Sequence, residues 1–395
     1  MSREGCSTVL RCFTGAEADE IAILCRPDGR SQDTTRQADA AYRALADALA
    51  AQGASFRDVA GEALFLRDIR RELPVVLETR LRVLADLEQG AGAPLPAFIQ
   101  QAPVDGHAAF ELLASAVVPR DRDAWSVCDV RPAPSCTCAG CVRSGARLIR
   151  LGDQASLHTA NIYGAGGDVF EQAWDMFRAS ELLLDQCGME FRDVVRTWIQ
   201  LRDIDRDYDA LNTARREFFR HGGIELRPAS TGVQGIPFPD AHDCSLTVHA
   251  VRSGRPLDVT RMSTPFLNEA WRYGADFSRG VKLVEANKIS LHVSGTASID
   301  EAGRSVHAGE FEAQAERMLD NIESLLAREG AAFASLISGV TYLRYPSDAP
   351  VLRSICRRRG FEGFPCALVE AVLCRPELLC ETEAVAMLPP AARGA

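Results

Sequence analysis

Two glutamates, Glu381 and Glu383, lie two residues apart in the alternating run LLCETEAVAML, so their side chains share one face of a strand. Carboxyls so placed can do acid–base work if burial holds a proton on one of them. They can equally be fixed carboxylates at a sheet edge or an interface, and both roles stay open for Glu381. A second cluster joins Cys136, Cys138 and Cys141 to Cys128 upstream. Thiolates this close can wrap a tetrahedral zinc ion, but C-x-C-x-x-C is not the paired C-x-x-C form and no histidine lies in the segment. A reduced linker is therefore the favoured reading, and no cofactor is expected. The seven histidines are dispersed. His292 falls in an alternating run and reads as structural, while His307 reads as a cap for the helix after it. No glycine-rich nucleotide loop, Ser-His-Asp order or HExxH pattern is present.

The elements that must position these residues are repeated. LADALAAQGASFRDV holds Gly53 and Phe56, ELLLDQCGMEFRDV holds Gly188 and Phe191, and ESLLAREGAAFASL holds Gly330 and Phe333. Fourteen residues after each glycine stands an arginine, Arg67, Arg202 and Arg344, closing a run rich in β formers. Apolar residues recur at helical spacing over Ala41 to Leu49, Ala173 to Leu184 and Ala315 to Leu326, and the glycine supplies a left-handed cap. The run behind it is a strand packed under that helix. A second helix (Leu73 to Leu87, Asp207 to His221, Ala349 to Arg359) and a further strand complete each copy. A mixed sheet with two helices on one face leaves its other face apolar, so the copies must meet one another.

The 395 residues are enough for several domains and exceed a single core. No run approaches the roughly 18 apolar residues of a membrane span, so no membrane partner is expected. The amino terminus carries acids within its first twenty residues and no cleavable apolar stretch, and most of the 13 cysteines sit singly in apolar runs. Both features point to the cytoplasm. Net charge is −10 with scattered bases, so no nucleic-acid partner is expected; the run Arg357 to Arg359 reads as a solvated helix end.

On this pattern the chain resembles the RidA/YjgF superfamily, whose units have the chorismate-mutase-like α+β fold and form trimers with ligand sites between neighbours. The resemblance implies three tandem units in one chain, an intrachain pseudo-trimer that is itself a monomer. The expected divisions are 1–120, a cysteine-containing linker at 121–145, 146–253, and 254–390 with the active site. The superfamily's commonest activity, hydrolysis of enamines and imines, uses an arginine about fifteen residues before the first glutamate of the last strand. Pro96, Ser230 and Cys366 stand at those places, which demotes that chemistry. Asn161 to Gly164 and Pro228 to Gly232 read as turns.

The last two units resemble the chorismatases more specifically, through WRYGADFSRG, SGTASIDEAGRSVHAGEFEAQAERMLDNIESLL and CRPELLCETEA. The resemblance implies that Glu381 and Cys374 are catalytic, and that Tyr273, Arg279, Gly295, Thr296 and Arg375 line the pocket. Glu381 would protonate the methylene carbon of an enol ether, water would add, and pyruvate would leave. Arg279 and Arg375 would hold the carboxylates of a small carboxylated metabolite. Cys374 together with Gly295 goes, in that family, with forming 3-hydroxybenzoate. One stretch departs from the pattern. Tyr273-Gly274-Ala275-Asp276 runs straight to Phe277, one arginine short, with Asp276 at the gap. The expected function is a chorismatase-like hydrolase or lyase. An enamine or imine hydrolase with altered anchors, and a non-catalytic small-molecule binder, are the alternatives.

Overall fold

The protein is represented by a computed structural model describing residues 2–3, 5–90, 92–131, 143–238 and 241–390; the side chains of Ser2, Arg3 and Tyr273 fall outside the description. The first sheet holds β1 (Ser2–Arg3), β2 (Cys6–Thr14), β3 (Ala18–Pro27), β4 (Val59–Leu66), β5 (Pro96–Gln100) and β6 (Phe110–Pro119). The second holds β7 (Trp125–Val130), β8 (Gly145–Leu151), β9 (Gln154–Ala160), β10 (Val194–Leu201), β11 (Ala229–Gln234) and β12 (Cys244–Ser253). The third holds β13 (Asp258–Met262), β14 (Gly280–Val284), β15 (Ile289–Ala297), β16 (Leu336–Leu343), β17 (Cys366–Glu370) and β18 (Cys380–Leu388). Strand order is the same in all three sheets, β1-β2-β3-β6-β4-β5 and its counterparts. Even one irregularity recurs, a register shift at Val59/Gly61, Val194/Arg196 and Leu336/Ser338. The architecture is thus three copies of one α+β unit.

Two helices cover one face of each sheet: α1 (Thr34–Ala50) and α2 (Ile69–Asp86), α3 (Val169–Gln186) and α4 (Ile204–His221), α5 (Phe311–Arg328) and α6 (Ala349–Arg359). Asp33, Asp68, Asp168 and Asp203 cap α1 to α4 by accepting from first-turn amides. Gly53, Gly188 and Gly330 hold positive φ of 68°, 71° and 75° just past the first helix of each unit, the conformation expected of a left-handed stop. The arginine run ending α6 is not merely solvated: Arg358 and Arg359 bridge to Glu316, Asp320 and Glu323 on α5.

The uncovered sheet faces turn inward on one another. β5 meets β9, β11 meets β15 and β17 meets β6, so the three units close a ring. Asn161 ties the first joint: its amide donates to the Pro96 carbonyl at 2.9 Å and accepts from the Phe98 amide at 3.1 Å. Asn161 is therefore more than a turn residue. A cavity of about 290 Å³ on the ring axis is lined by all three sheets, with Arg196, Lys288, Glu383 and three histidines among otherwise largely apolar walls. His158 and His249 stack at 4.3 Å there, and burial pushes His158 down to about 4 and His292 down to about 3, so these imidazoles are neutral.

One segment differs from its reading. Residues 121–145 are not simply a linker, because β7 lies inside them and pairs with β8, placing a strand of the second sheet before 146. Its apolar side chains Trp125 and Val127 pack with Ile149 and with Ala60 of the first unit. Cys128 is exposed on this strand, and Cys136, Cys138 and Cys141, the other candidate zinc ligands, lie outside the described residues. Among the described residues no helix is long and apolar enough to cross a membrane.

Candidate active site

β18 runs through the middle of the third sheet between β15 and β16, and this register puts Glu381 opposite Ala297 on one side and Tyr342 on the other. Its side chain enters a cleft of about 540 Å³ between the second and third units. Arg279, Gly295, Cys374 and Arg375 line the same cleft. The backbone of Tyr273 ends a short helical turn, Ala270–Tyr273, whose next two residues, Gly274 and Ala275, are also at the wall. Thr296 is not. Alternation along β15 turns it away from Gly295 and Ala297, and its hydroxyl donates to the Ser294 carbonyl at 2.8 Å.

The opposite wall comes from the second unit. Tyr208, Asn212, Arg215 and Arg216 project from α4, and Ser230 and Gly232 from β11. Pro228 to Gly232 is thus largely strand and cleft wall rather than turn. The two units are stitched here: the Ser294 hydroxyl accepts from the Ser230 amide at 2.9 Å and donates to the Ser278 carbonyl at 2.6 Å. Small residues let these backbones approach. At the position where the chain is one arginine short, Arg227 of the second unit reaches across to Asp276, Nε to Oδ1 at 2.7 Å.

Charge in the cleft is predominantly positive, with Arg215, Arg216, Arg279 and Arg375 against Glu381 and Asp209. Arg279 is aimed by the Asn268 carbonyl at 2.8 Å, and Arg375 by the Gly303 carbonyl at 2.8 Å and Ser305 at 3.2 Å. Glu381 is only 5% exposed and accepts no hydrogen bond among the described residues. Burial, and after it the nearby Glu383 carboxylate, push its carboxyl up to about 8, against the pull of Arg196, Arg279 and Arg375. It therefore carries its proton at neutral pH and faces a cationic cleft. Burial also pushes the Cys374 thiol up to about 12, so Cys374 is a neutral thiol beside Tyr208 and not a thiolate nucleophile.

The threefold repeat supplies an internal control. Glu111, Ser245 and Glu381 occupy one register, opposite Phe65, Gln200 and Tyr342. Arg80 and Arg215 are each the twelfth residue of their helices. Between the first and second units Arg80 is clamped on Glu62, Nε to Oε2 at 3.0 Å, both buried. Between the third and first units Glu111 is paired with Arg26 at 3.2 Å. Between the second and third units Thr197 stands where Glu62 would be, so Arg215 donates to the neutral Asn212 and Ser230 instead. That cleft is left open. Pro96, Ser230 and Cys366 share one register in the three units, and none is an arginine.

No family model matches the chain. It is 28% identical over 235 residues to a 3-hydroxybenzoate synthase of Streptomyces hygroscopicus, 52% of this chain and 66% of that protein. It is 28% identical over 222 residues to a chorismatase of Streptomyces rapamycinicus, 49% of this chain and 64% of that protein. The matched stretches thus span just under two thirds of these relatives. Among solved structures it is similar in fold to a chorismatase, with a TM-score of 0.60 at 20% identity, covering 84% of this chain and 93% of that one. RidA of a Psychrobacter species matches 33% of this chain at 20% identity with a TM-score of 0.28.

Proposed function

We propose that this protein hydrolyses a small carboxylated enol ether, with chorismate the first candidate, and that Glu381 is the acid. The observation that carries the reading is a protonated, buried Glu381 in an open cleft ringed by arginines. The likeness to proteins named chorismatase and 3-hydroxybenzoate synthase supports it.

The chemistry follows from the groups at hand. Glu381 transfers its proton to the methylene carbon of the enol ether, leaving an oxocarbenium ion beside its own new carboxylate. Water adds to that carbon, and the hemiketal collapses to pyruvate and the alcohol. Arg279 and Arg375 hold carboxylates, with Arg215 completing the grip from the second unit. Cys374 packs against the reacting ring as a thiol. If the diene alcohol then loses water, the aromatic product is 3-hydroxybenzoate, the outcome suited to Cys374 with Gly295.

Imine hydrolysis lacks its arginine anchor at Pro96, Ser230 and Cys366, and a purely binding role gives no reason to keep a protonated carboxyl in the cleft. The test is incubation of chorismate with the protein and with Glu381→Gln, following pyruvate and aromatic product. Pyruvate that disappears in the variant supports the reading. No pyruvate from either protein removes chorismate as substrate.

A further inference from the structure

Glu383 stands on the same strand face as Glu381 but serves a different space, the axial cavity rather than the cleft. Its two oxygens are fixed from the neighbouring unit: Oε2 accepts from Arg196 Nη2 at 2.7 Å and Oε1 from Trp198 Nε1 at 2.6 Å. Tyr342, buried on β16, lies near the same carboxylate, whose charge, after burial, pushes its phenol well up. Arg196 also donates to the Thr231 hydroxyl, which in turn accepts from the Gly295 amide at 3.0 Å. Gly295 is the residue whose missing side chain leaves room for the Glu381 carboxyl. One connected set of bonds thus runs from Glu383 through Arg196 and Thr231 to the backbone against which Glu381 rests.

We propose that Glu383 is a positioning residue for Glu381: its carboxylate, gripped by Arg196 and Trp198, stands beside the acid on the same strand face, and its bonds through Arg196 and Thr231 set the Gly295 backbone against which Glu381 rests. This rests on the reading of Glu381 as the acid. The division of labour is physical. Two carboxyls on one strand face, both buried, disfavour each other's charge, and only Glu383 has two strong donors on its oxygens. Glu381, without such donors, keeps the proton. The other charged or titratable groups facing Glu381 are Arg279 and Arg375 from its own unit, Cys374, Tyr342, and Tyr208, Asp209, Arg215 and Arg216 on α4. The arginines favour the ionised form, so they oppose Glu383.

The test is the titration of Glu381 itself, read by infrared difference spectroscopy as the protonated carboxyl band that vanishes in Glu381→Gln. In Glu383→Gln the anion is gone and Arg196 is uncompensated, so the midpoint should fall by about one pH unit or more. The double variant Glu383→Gln with Arg196→Met leaves no buried charge unpaired and serves if the single variant does not fold. Its midpoint should also fall, by less. A midpoint unmoved in either folded variant overturns the proposal. The band needs no substrate, so a failed activity assay with a shifted midpoint would count against the proposed reaction and not against this role of Glu383. With substrate, the alkaline limb of kcat/KM should move down by the same amount.

Discussion

The carboxyl of Glu381 fills the space where a Cβ on Gly295 would stand: that carbon would lie 3.0 Å from Glu381 Cδ, 3.1 Å from Thr231 Cγ2, and closer still to Glu381 Oε1. Glycine at 295 is therefore a steric requirement of the acid's position rather than a backbone preference. Gly295→Ala should push the Glu381 carboxyl out of place at a stability cost of about 1–3 kcal/mol. Pyruvate release should fall by tenfold or more, about the cost of a misplaced catalytic group. A thermal melt beside a rate measurement checks both, and wild-type rates in the alanine variant would contradict the geometry.

The proton on Glu381 gives the rate a pH dependence of known sign. The protonated form is the active one, so kcat/KM should be level at neutral pH and fall as pH rises through about 8. Glu381→Gln should cut the rate by about 10²–10⁴-fold and leave no alkaline limb. A limb of the opposite sense, with activity rising through that region, would make Glu381 a base.

The same group couples folding to pH. A carboxyl raised in the folded state binds its proton where the unfolded chain has released it, so stability is full below the ordinary carboxyl range and is lost as pH rises toward about 8. Each tenfold difference in proton affinity between folded and unfolded chains is worth about 1.4 kcal/mol, so the loss is on the order of several kcal/mol. Glu381→Gln should therefore melt at nearly the wild-type temperature near pH 4 and clearly above it near pH 8. Equal differences at both would mean that the carboxyl is not raised.

How much of this was legible in the chain differs by element. The repeat was plain because each unit needs the same helix stop and the same buried phenylalanine, so Gly53-Phe56, Gly188-Phe191 and Gly330-Phe333 share a spacing. The period of two places Glu381 and Glu383 on one strand face, but it is the resemblance to the chorismatases, not the period, that singles out Glu381 as the acid. β7 was hidden because WSVCDV is short and sits beside a Pro- and Cys-rich stretch, and its pairing with β8 depends on tertiary context. Thr296 was misassigned because a matched motif does not say which residues of a strand face the cleft. Arg215 was missed although a signal existed: an arginine within the apolar stripe of α4, at the same helical position as Arg80 in α2. Only the difference between Thr197 and Glu62, one strand away, tells which of the two is left to meet a ligand.

Arg215 and Arg80 should accordingly respond in opposite ways. Arg215→Gln should raise KM for a carboxylated substrate by roughly tenfold or more, the loss of one charge-assisted contact, with little change in melting. Arg80→Gln breaks a buried ion pair and leaves Glu62 without its partner, so it should cost about 3–5 kcal/mol in stability while the folded fraction keeps its KM. Glu62→Gln together with Arg80→Met, which removes both charges, should recover much of that stability. KM that rises in the Arg80 variants as much as in Arg215→Gln would mean that the first cleft also binds substrate, and that the ion pair filling it is not a permanent plug.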